Sequence, residues 1–383
     1  MEIPLTKIQK ELKKNLSFWL ENSIEKDSKK IYSAVSIDGI PDASSPLGSM
    51  YLSRIVYGAS IATKMLKIDD YRVLADISFK QLQEMQHPKG GYYWARDNSG
   101  TFLHDAENNC MAQAFILYGL ATYATINPSE ELDISIEKQL TFIKNTLYDT
   151  KNGGYIDGFN SNWVLGENPT KSLGTHLHLL EAFVKLYEYQ KNEDLVILIE
   201  ELINIILTYF ITNDTYDCLH RLTLNWDLLP NEVWAGHNAE VSWILCNSAK
   251  AIQNKKLISE CNDVAIKMMQ QVILKAWDSK NQGVFNVLMN GSPTEKVKIW
   301  WPQAETILGL LNCYSITKDK SYKNRAIELI NYISNNFIAP NGEWYTEIWN
   351  TRKPNTSLPI IHFWKSMYHT IRYYAIINKI ADS

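Results

Sequence analysis

Apolar residues return every three or four positions, over three to four turns, in ten stretches of this chain: 51–65, 109–123, 134–147, 176–189, 195–211, 240–252, 264–276, 302–317, 322–337 and 366–380. That spacing puts the apolar side chains on one face of a 3.6-residue spiral and predicts amphipathic helices. Alternating runs long enough to build the core of a sheet are absent. The pattern reads as an all-α protein.

A second motif punctuates the helices. Lys89-Gly90-Gly91-Tyr92-Tyr93-Trp94, Asn152-Gly153-Gly154-Tyr155, Asn281-Gln282-Gly283-Val284-Phe285 and Asn341-Gly342-Glu343-Trp344 each follow a helix, turn at glycine and continue as a short β-prone segment. They recur at about 60-residue intervals with one interval doubled, as a repeated helical hairpin requires. About six hairpins fit the chain, so the expected architecture is one (α/α)6 barrel spanning residues 1–383 as a single domain. Short β-loops should gather at one rim, around a central cleft. No Pro/Gly/Ser-rich linker marks a boundary.

Composition narrows the function more than the fold. The 383 residues are 45% hydrophobic and 21% charged, enough for a large core. A net charge of −4 with scattered Lys and Arg offers no footing for nucleic acid or an anionic membrane. Five widely spaced cysteines, none in a CxxC pair, argue against a disulfide framework or a zinc knuckle. The opening Met1-Glu2-Ile3-Pro4-Leu5 lacks a secretion signal, and no apolar run approaches membrane-spanning length, so the expected location is the cytoplasm. Twelve Trp and 21 Tyr, many beside Gly, Asn and Asp, suit a sugar, whose C–H faces stack on rings while its hydroxyls take hydrogen bonds.

Phosphate and nucleotide signatures (GxGxxG, GxxxxGK[ST]), a GxSxG elbow and HExxH are missing, so side chains alone must supply the chemistry. Four patches offer it. In Thr175-His176-Leu177-His178, Thr175 fits an N-cap, and the two histidines of the first turn point to different faces, unsuited to sharing a metal. In Gly236-His237-Asn238-Ala239-Glu240-Val241-Ser242-Trp243, His237, Glu240 and Trp243 share one helical face, and a carboxylate one turn from an imidazole can fix its tautomer. Trp300-Trp301-Pro302-Gln303-Ala304-Glu305 joins a stacking surface to polar groups one turn away. The fourth, Trp364-Lys365-Ser366-Met367-Tyr368-His369-Thr370-Ile371-Arg372, opens the last helix. Each alone has a structural explanation; four at recurrent helix starts on one rim have a functional one.

With Ser53-Arg54-Ile55, Gly91-Tyr92-Tyr93-Trp94 and Gln113-Ala114-Phe115, these motifs run in the order of the N-acylglucosamine 2-epimerase superfamily, and the chain most closely resembles its cellobiose 2-epimerases over nearly its whole length. The resemblance implies an (α/α)6 barrel and an isomerase acting on a mono- or disaccharide with a free reducing end. The sugar opens, loses its C2 proton and regains it on the other face through an enediolate. It further implies that His237 and His369 transfer the protons, that His178 assists ring opening, that Glu240 orients His237 and that Arg54 polarises the carbonyl oxygen. Glu305, Trp243, Trp301, Trp300, His176, Tyr93, Met111 and Trp364 would bind the sugar. No metal, nucleotide or other cofactor is required, and the chain would act as a monomer or homodimer.

The chain departs from the family pattern at Asn108 and Met111, where Lys and Tyr are usual, at Gly174, where Asn is common, and at Met367, where Pro is usual. The histidines are intact, so the departures bear on the sugar rather than on proton transfer. Aldose–ketose isomerisation uses the same enediolate and is the close alternative. Glycoside hydrolysis by Glu240 and Glu305, or sugar binding without turnover, are the distant ones.

Overall fold

The computed structural model describes residues 2–381 except 231 and 296; Met1, Asp382 and Ser383, the ends of the expected 1–383 unit, lie outside the described residues. Six helices form the inner wall: α2 (Ser49–Leu66), α4 (Asn109–Ala124), α6 (Leu173–Gln190), α8 (Ala235–Ala251), α10 (Trp300–Thr317) and α12 (Tyr368–Ala381). Each packs on the next, and α12 returns to α2, so the ring closes. Six more alternate with them outside: α1 (Leu5–Asn22), α3 (Asp69–Gln83), α5 (Glu130–Phe142), α7 (Glu193–Ile205), α9 (Lys255–Lys275) and α11 (Lys320–Asn336). The protein is an (α/α)6 barrel.

The two layers differ as their sequences require. Outer helix α3 buries one stripe, including Tyr71, Leu74, Ala75, Ser78 and Leu82, and leaves the rest to solvent. Inner helix α4 is buried on every side except at Met111. It carries Gly119 where it crosses α2, because a Cβ there would stand 2.8 Å from the Ser53 carbonyl oxygen. Outer helices α5, α7, α9 and α11 start at Ser129, Asn192, Asn254 and Asp319, whose side chains accept first-turn N–H groups.

All ten stretches read as helices are helical. Helix α6 begins three residues earlier than expected: Ser172 caps it, and Thr175, inside the first turn, donates instead to Asp157 (2.7 Å). The pattern passed over α1, rich in Lys, Glu and Asn on its open face, and α3.

The glycine turns are members of a set of six. Antiparallel bridges join Ile24 to Ile31, Gln86 to Tyr92, Tyr148 to Tyr155, Ile211 to Cys218, Trp277 to Val284 and Ile338 to Trp344. The doubled interval hides the Ile211–Cys218 turn, which is built on threonine and aspartate rather than glycine. Short strands Leu47–Gly48, Leu165–Ser172, Val233–Trp234 and Val297–Ile299 run directly into α2, α6, α8 and α10, which gathers the β-loops at the inner helices' N-terminal rim. No helix among the described residues is long and apolar enough to cross a membrane, and the five cysteines are buried and unpaired.

Candidate active site

The inner helices' first turns surround a cavity of about 590 Å³. Arg54 comes from α2, Met111 from α4, Gly174 and His178 from α6, His237 and Glu240 from α8, Trp300 and Trp301 from α10, and His369 from α12. Trp364 and Trp234 stand at its walls, beside Glu107, Asn108, His220 and Arg221. The four patches separated in sequence by up to two hundred residues thus meet at one place.

Trp301 lies between two imidazoles, with ring centres 5.0 Å from His237 and 5.4 Å from His369. Burial holds both of these histidines well below the ordinary imidazole range, at His369 against the opposing charge of Glu240. They are neutral at pH 7 and ready to accept a proton. Their supports differ. His369 Nδ1 donates to Glu305 Oε1 (2.7 Å), which leaves Nε2 as the basic nitrogen. His178 Nδ1 is held in the same way by Glu181 Oε2 (2.9 Å). His237 Nδ1 has no hydrogen-bond partner among the described residues.

Beneath the cavity lies Arg372. Its Nη1 donates to Glu181 Oε1 (2.7 Å) and to the Tyr368 hydroxyl, and its Nη2 to Glu305 Oε1 (2.7 Å) and to Glu240 Oε1. Burial pushes the Glu305 carboxyl up against the pull of Arg372. At Glu181, burial acts the same way, but Arg372 and His178 together prevail and hold the carboxyl below its usual range. Arg54 is placed differently. Its guanidinium lies 4.0 Å from the Phe115 ring centre, donates from Nη1 to the Trp364 carbonyl (3.2 Å) and leaves Nε without a partner among the described residues. Burial pulls it down to about 10, so it stays a cation at neutral pH.

Several expected binders stand elsewhere. Glu240 does not orient His237: the guanidinium of Arg372, on α12, offers it a stronger, charge-assisted bond. Glu305 and Trp243 are buried behind His369, where the indole N–H donates to Glu305 Oε2 (3.0 Å); they hold the histidine rather than sugar hydroxyls. Tyr93 stacks on Phe102 at 3.8 Å, beside a separate small aromatic pocket.

His176 is not a sugar ligand either. Its Nε2 accepts the Tyr155 N–H (3.0 Å) and its Nδ1 donates to the Ser172 carbonyl (2.7 Å), so both nitrogens are spent. The same task recurs around the ring. Gln113 Oε1 accepts the Tyr92 N–H (2.9 Å), Asn238 Oδ1 the Cys218 N–H (2.8 Å) and Gln303 Oε1 the Val284 N–H (2.9 Å). Each latches a turn to the start of an inner helix. Sequence reasoning passed over Glu181, Arg372, Trp234 and His220. The first two carry a visible signal: the i,i+3 spacing noticed at His237–Glu240 also joins His178 to Glu181 and His369 to Arg372.

An inward-facing histidine set on an (α/α)6 barrel, with tryptophans along the walls, defines a carbohydrate-processing class of site. The chain belongs to the N-acylglucosamine 2-epimerase family, whose sequence model matches residues 31–372, and it is an enzyme of the racemase and epimerase class. It is 27% identical to a cellobiose 2-epimerase of Dictyoglomus turgidum over 94% of each chain. It is 24% identical to a D-mannose isomerase of Marinomonas mediterranea over 83% of each. The structure of a cellobiose 2-epimerase from Bacillus thermoamylovorans superposes with a TM-score of 0.89, covering 98% of this chain and 99% of that one at 23% identity.

Proposed function

We propose that the protein epimerises a reducing-end aldose at C2, without a cofactor, through an enediolate. The observation that carries this reading is the pair of neutral imidazoles, His237 and His369, on helices α8 and α12 to either side of α10, with Trp301 of α10 between them. With C2 of an opened sugar between the rings, one neutral imidazole removes its proton and becomes imidazolium, while the other, having first taken up a proton, returns that proton to the opposite face and ends neutral. Burial keeps the imidazoles neutral, and so in the form that accepts a proton, throughout the neutral range. Arg54, charged and incompletely paired, is suited to the carbonyl oxygen as it becomes an oxyanion. His178, with Nδ1 fixed by Glu181, is placed to move the ring-oxygen proton on opening. Trp300, Trp301 and Trp364 offer ring faces to the sugar, and Met111 an apolar edge.

Return of the proton to C1 instead of C2 gives a ketose from the same intermediate. The matched D-mannose isomerase makes this the second reading. Hydrolysis is disfavoured by the carboxylates themselves. Glu240 and Glu305 are buried and both bonded to Arg372, whereas the carboxylates of a glycosidase must stand free on either side of the bond they cleave. Incubation with cellobiose, glucose and mannose in deuterated water, followed by product separation, tests the proposal. The expected product is the C2 epimer carrying deuterium at C2. Ketose alone would leave the second reading standing, and no exchange from any of these aldoses would defeat both.

A further inference from the structure

Arg372 has no part in the proton transfers just described, yet it is the most heavily bonded side chain of the barrel floor. It is buried, and its two terminal nitrogens reach three carboxylates carried by three different inner helices: Glu181 on α6, Glu240 on α8 and Glu305 on α10. Two of these carboxylates hold the Nδ1 atoms of His178 and His369. Taken with those imidazoles, they form two overlapping donor sets, His178–Glu181–Glu240 and Glu240–Glu305–His369, each with ligand atoms within 4.8 Å. A guanidinium, fixed in charge and planar, bridges both sets.

We propose that Arg372 is a positioning residue, a built-in cation that keeps Glu181 and Glu305 ionised and so sets the tautomers of His178 and His369. Three carboxylates this close do not all stay ionised in a buried site without a compensating charge. Were one protonated, it would become a donor. A protonated Glu305 would offer its hydrogen to Nδ1 of His369, and the ring proton would move to Nε2, the nitrogen needed as base. With Arg372 in place the carboxylates only accept, Nδ1 keeps the hydrogen, and Nε2 is left bare for the substrate. The role rests on the proposed reaction only in what the bare Nε2 is for; the tautomers are set whether or not the substrate is a sugar.

The test therefore reads the tautomers directly. In protein labelled with 15N-histidine, nitrogen shifts of wild type should show His178 and His369 as Nδ1–H at pH 7. In Arg372→Met, at least one should move to Nε2–H. Turnover of the best aldose should fall roughly 100-fold in kcat, with KM within about threefold, because Arg372 lies under the cavity rather than against the sugar. Arg372→Lys should restore part of kcat, and the acid limb of the kcat–pH profile in Arg372→Met should move to higher pH, since removing the cation makes both the carboxyls and His369 easier to protonate. Nε2–H tautomers in the wild type would overturn the proposal without any variant. So would unchanged tautomers in a folded Arg372→Met protein. A wild type inactive on every aldose would instead sink the epimerase reading and leave this one intact.

Discussion

His237 and His369 have similar surroundings but unequal support, and that inequality has measurable consequences. Loss of either proton carrier, as His237→Asn or His369→Asn, should lower turnover by roughly 10²–10⁴-fold while leaving the fold intact, as steady-state rates and thermal unfolding would show. Because burial holds both rings well below the ordinary value of 6.5, proton acceptance survives as pH falls through that value. The kcat/KM profile should stay flat from about pH 7.5 to 6, and a fall centred near 6.5 would contradict the assigned bases. Met111 and Gly174 address the substrate instead. They face each other across one cavity wall, and a Cβ on Gly174 would meet the Met111 sulfur at 3.0 Å, a flexible neighbour able to yield. Gly174→Asn should therefore change the ratio of kcat/KM between two aldoses by roughly tenfold or more, with little change in melting temperature. Of the four departures from the family pattern, Asn108, Met111 and Gly174 reach the cavity, whereas Met367 is fully buried against Gly58.

At the scale of the element, four of the six outer helices were readable from their one-sided apolar stripes and the inner ones from apolar runs buried nearly all round, and glycine turns were readable because their residue types are conspicuous. What stayed hidden was the division of labour between neighbours one or two positions apart. His176 and His178 sit in the same first turn, but α6 rotates His178 into the cavity and His176 toward the turn that precedes it, where glutamine and asparagine serve in other repeats. A histidine in that place has a cost that glutamine does not. Burial lowers His176 to about 4, below its unfolded value near 6.5, so the unfolded chain binds the extra proton. Its contribution to stability is whole above about pH 6.5 and drains away as pH falls toward 4. His176→Gln should keep the latch and flatten part of the decline in melting temperature between pH 7 and 5. His176→Ala should cost about 1–3 kcal/mol above about pH 6.5, by removing the partner of the Tyr155 N–H and the Ser172 C=O, and less as pH falls toward 4.

Across the whole molecule, the ring depends on a closure that periodicity does not reveal. Helix α1 was not anticipated, yet it completes the outer layer beside α12. Its Asn15 and Trp19 donate to Glu343 Oε2 (2.8 and 2.6 Å), while Lys365 pairs with Oε1 of the same carboxylate (2.8 Å). Repeat count and family motifs were enough to foresee six hairpins; the pin that joins first to last is made of single polar residues with no pattern to find. Glu343→Ala would leave the buried Lys365 without its counter-charge, bonded only to the Ile360 carbonyl, and the Trp19 N–H without its acceptor, and unfolding should lose about 3–5 kcal/mol in a denaturant titration.

The cation at Arg54 gives the barrel a preference of its own. Burial has already cost that guanidinium part of its hydration, and among the described residues its one hydrogen bond runs from Nη1 to the Trp364 carbonyl while Nε has no partner. A small molecule that places an anionic oxygen there relieves a debt incurred on folding, so affinity should track ligand charge more steeply than ligand size. A planar hydroxamate shaped like an opened aldose should then inhibit more strongly than the matching neutral sugar alcohol, and raise the melting temperature further at equal concentration.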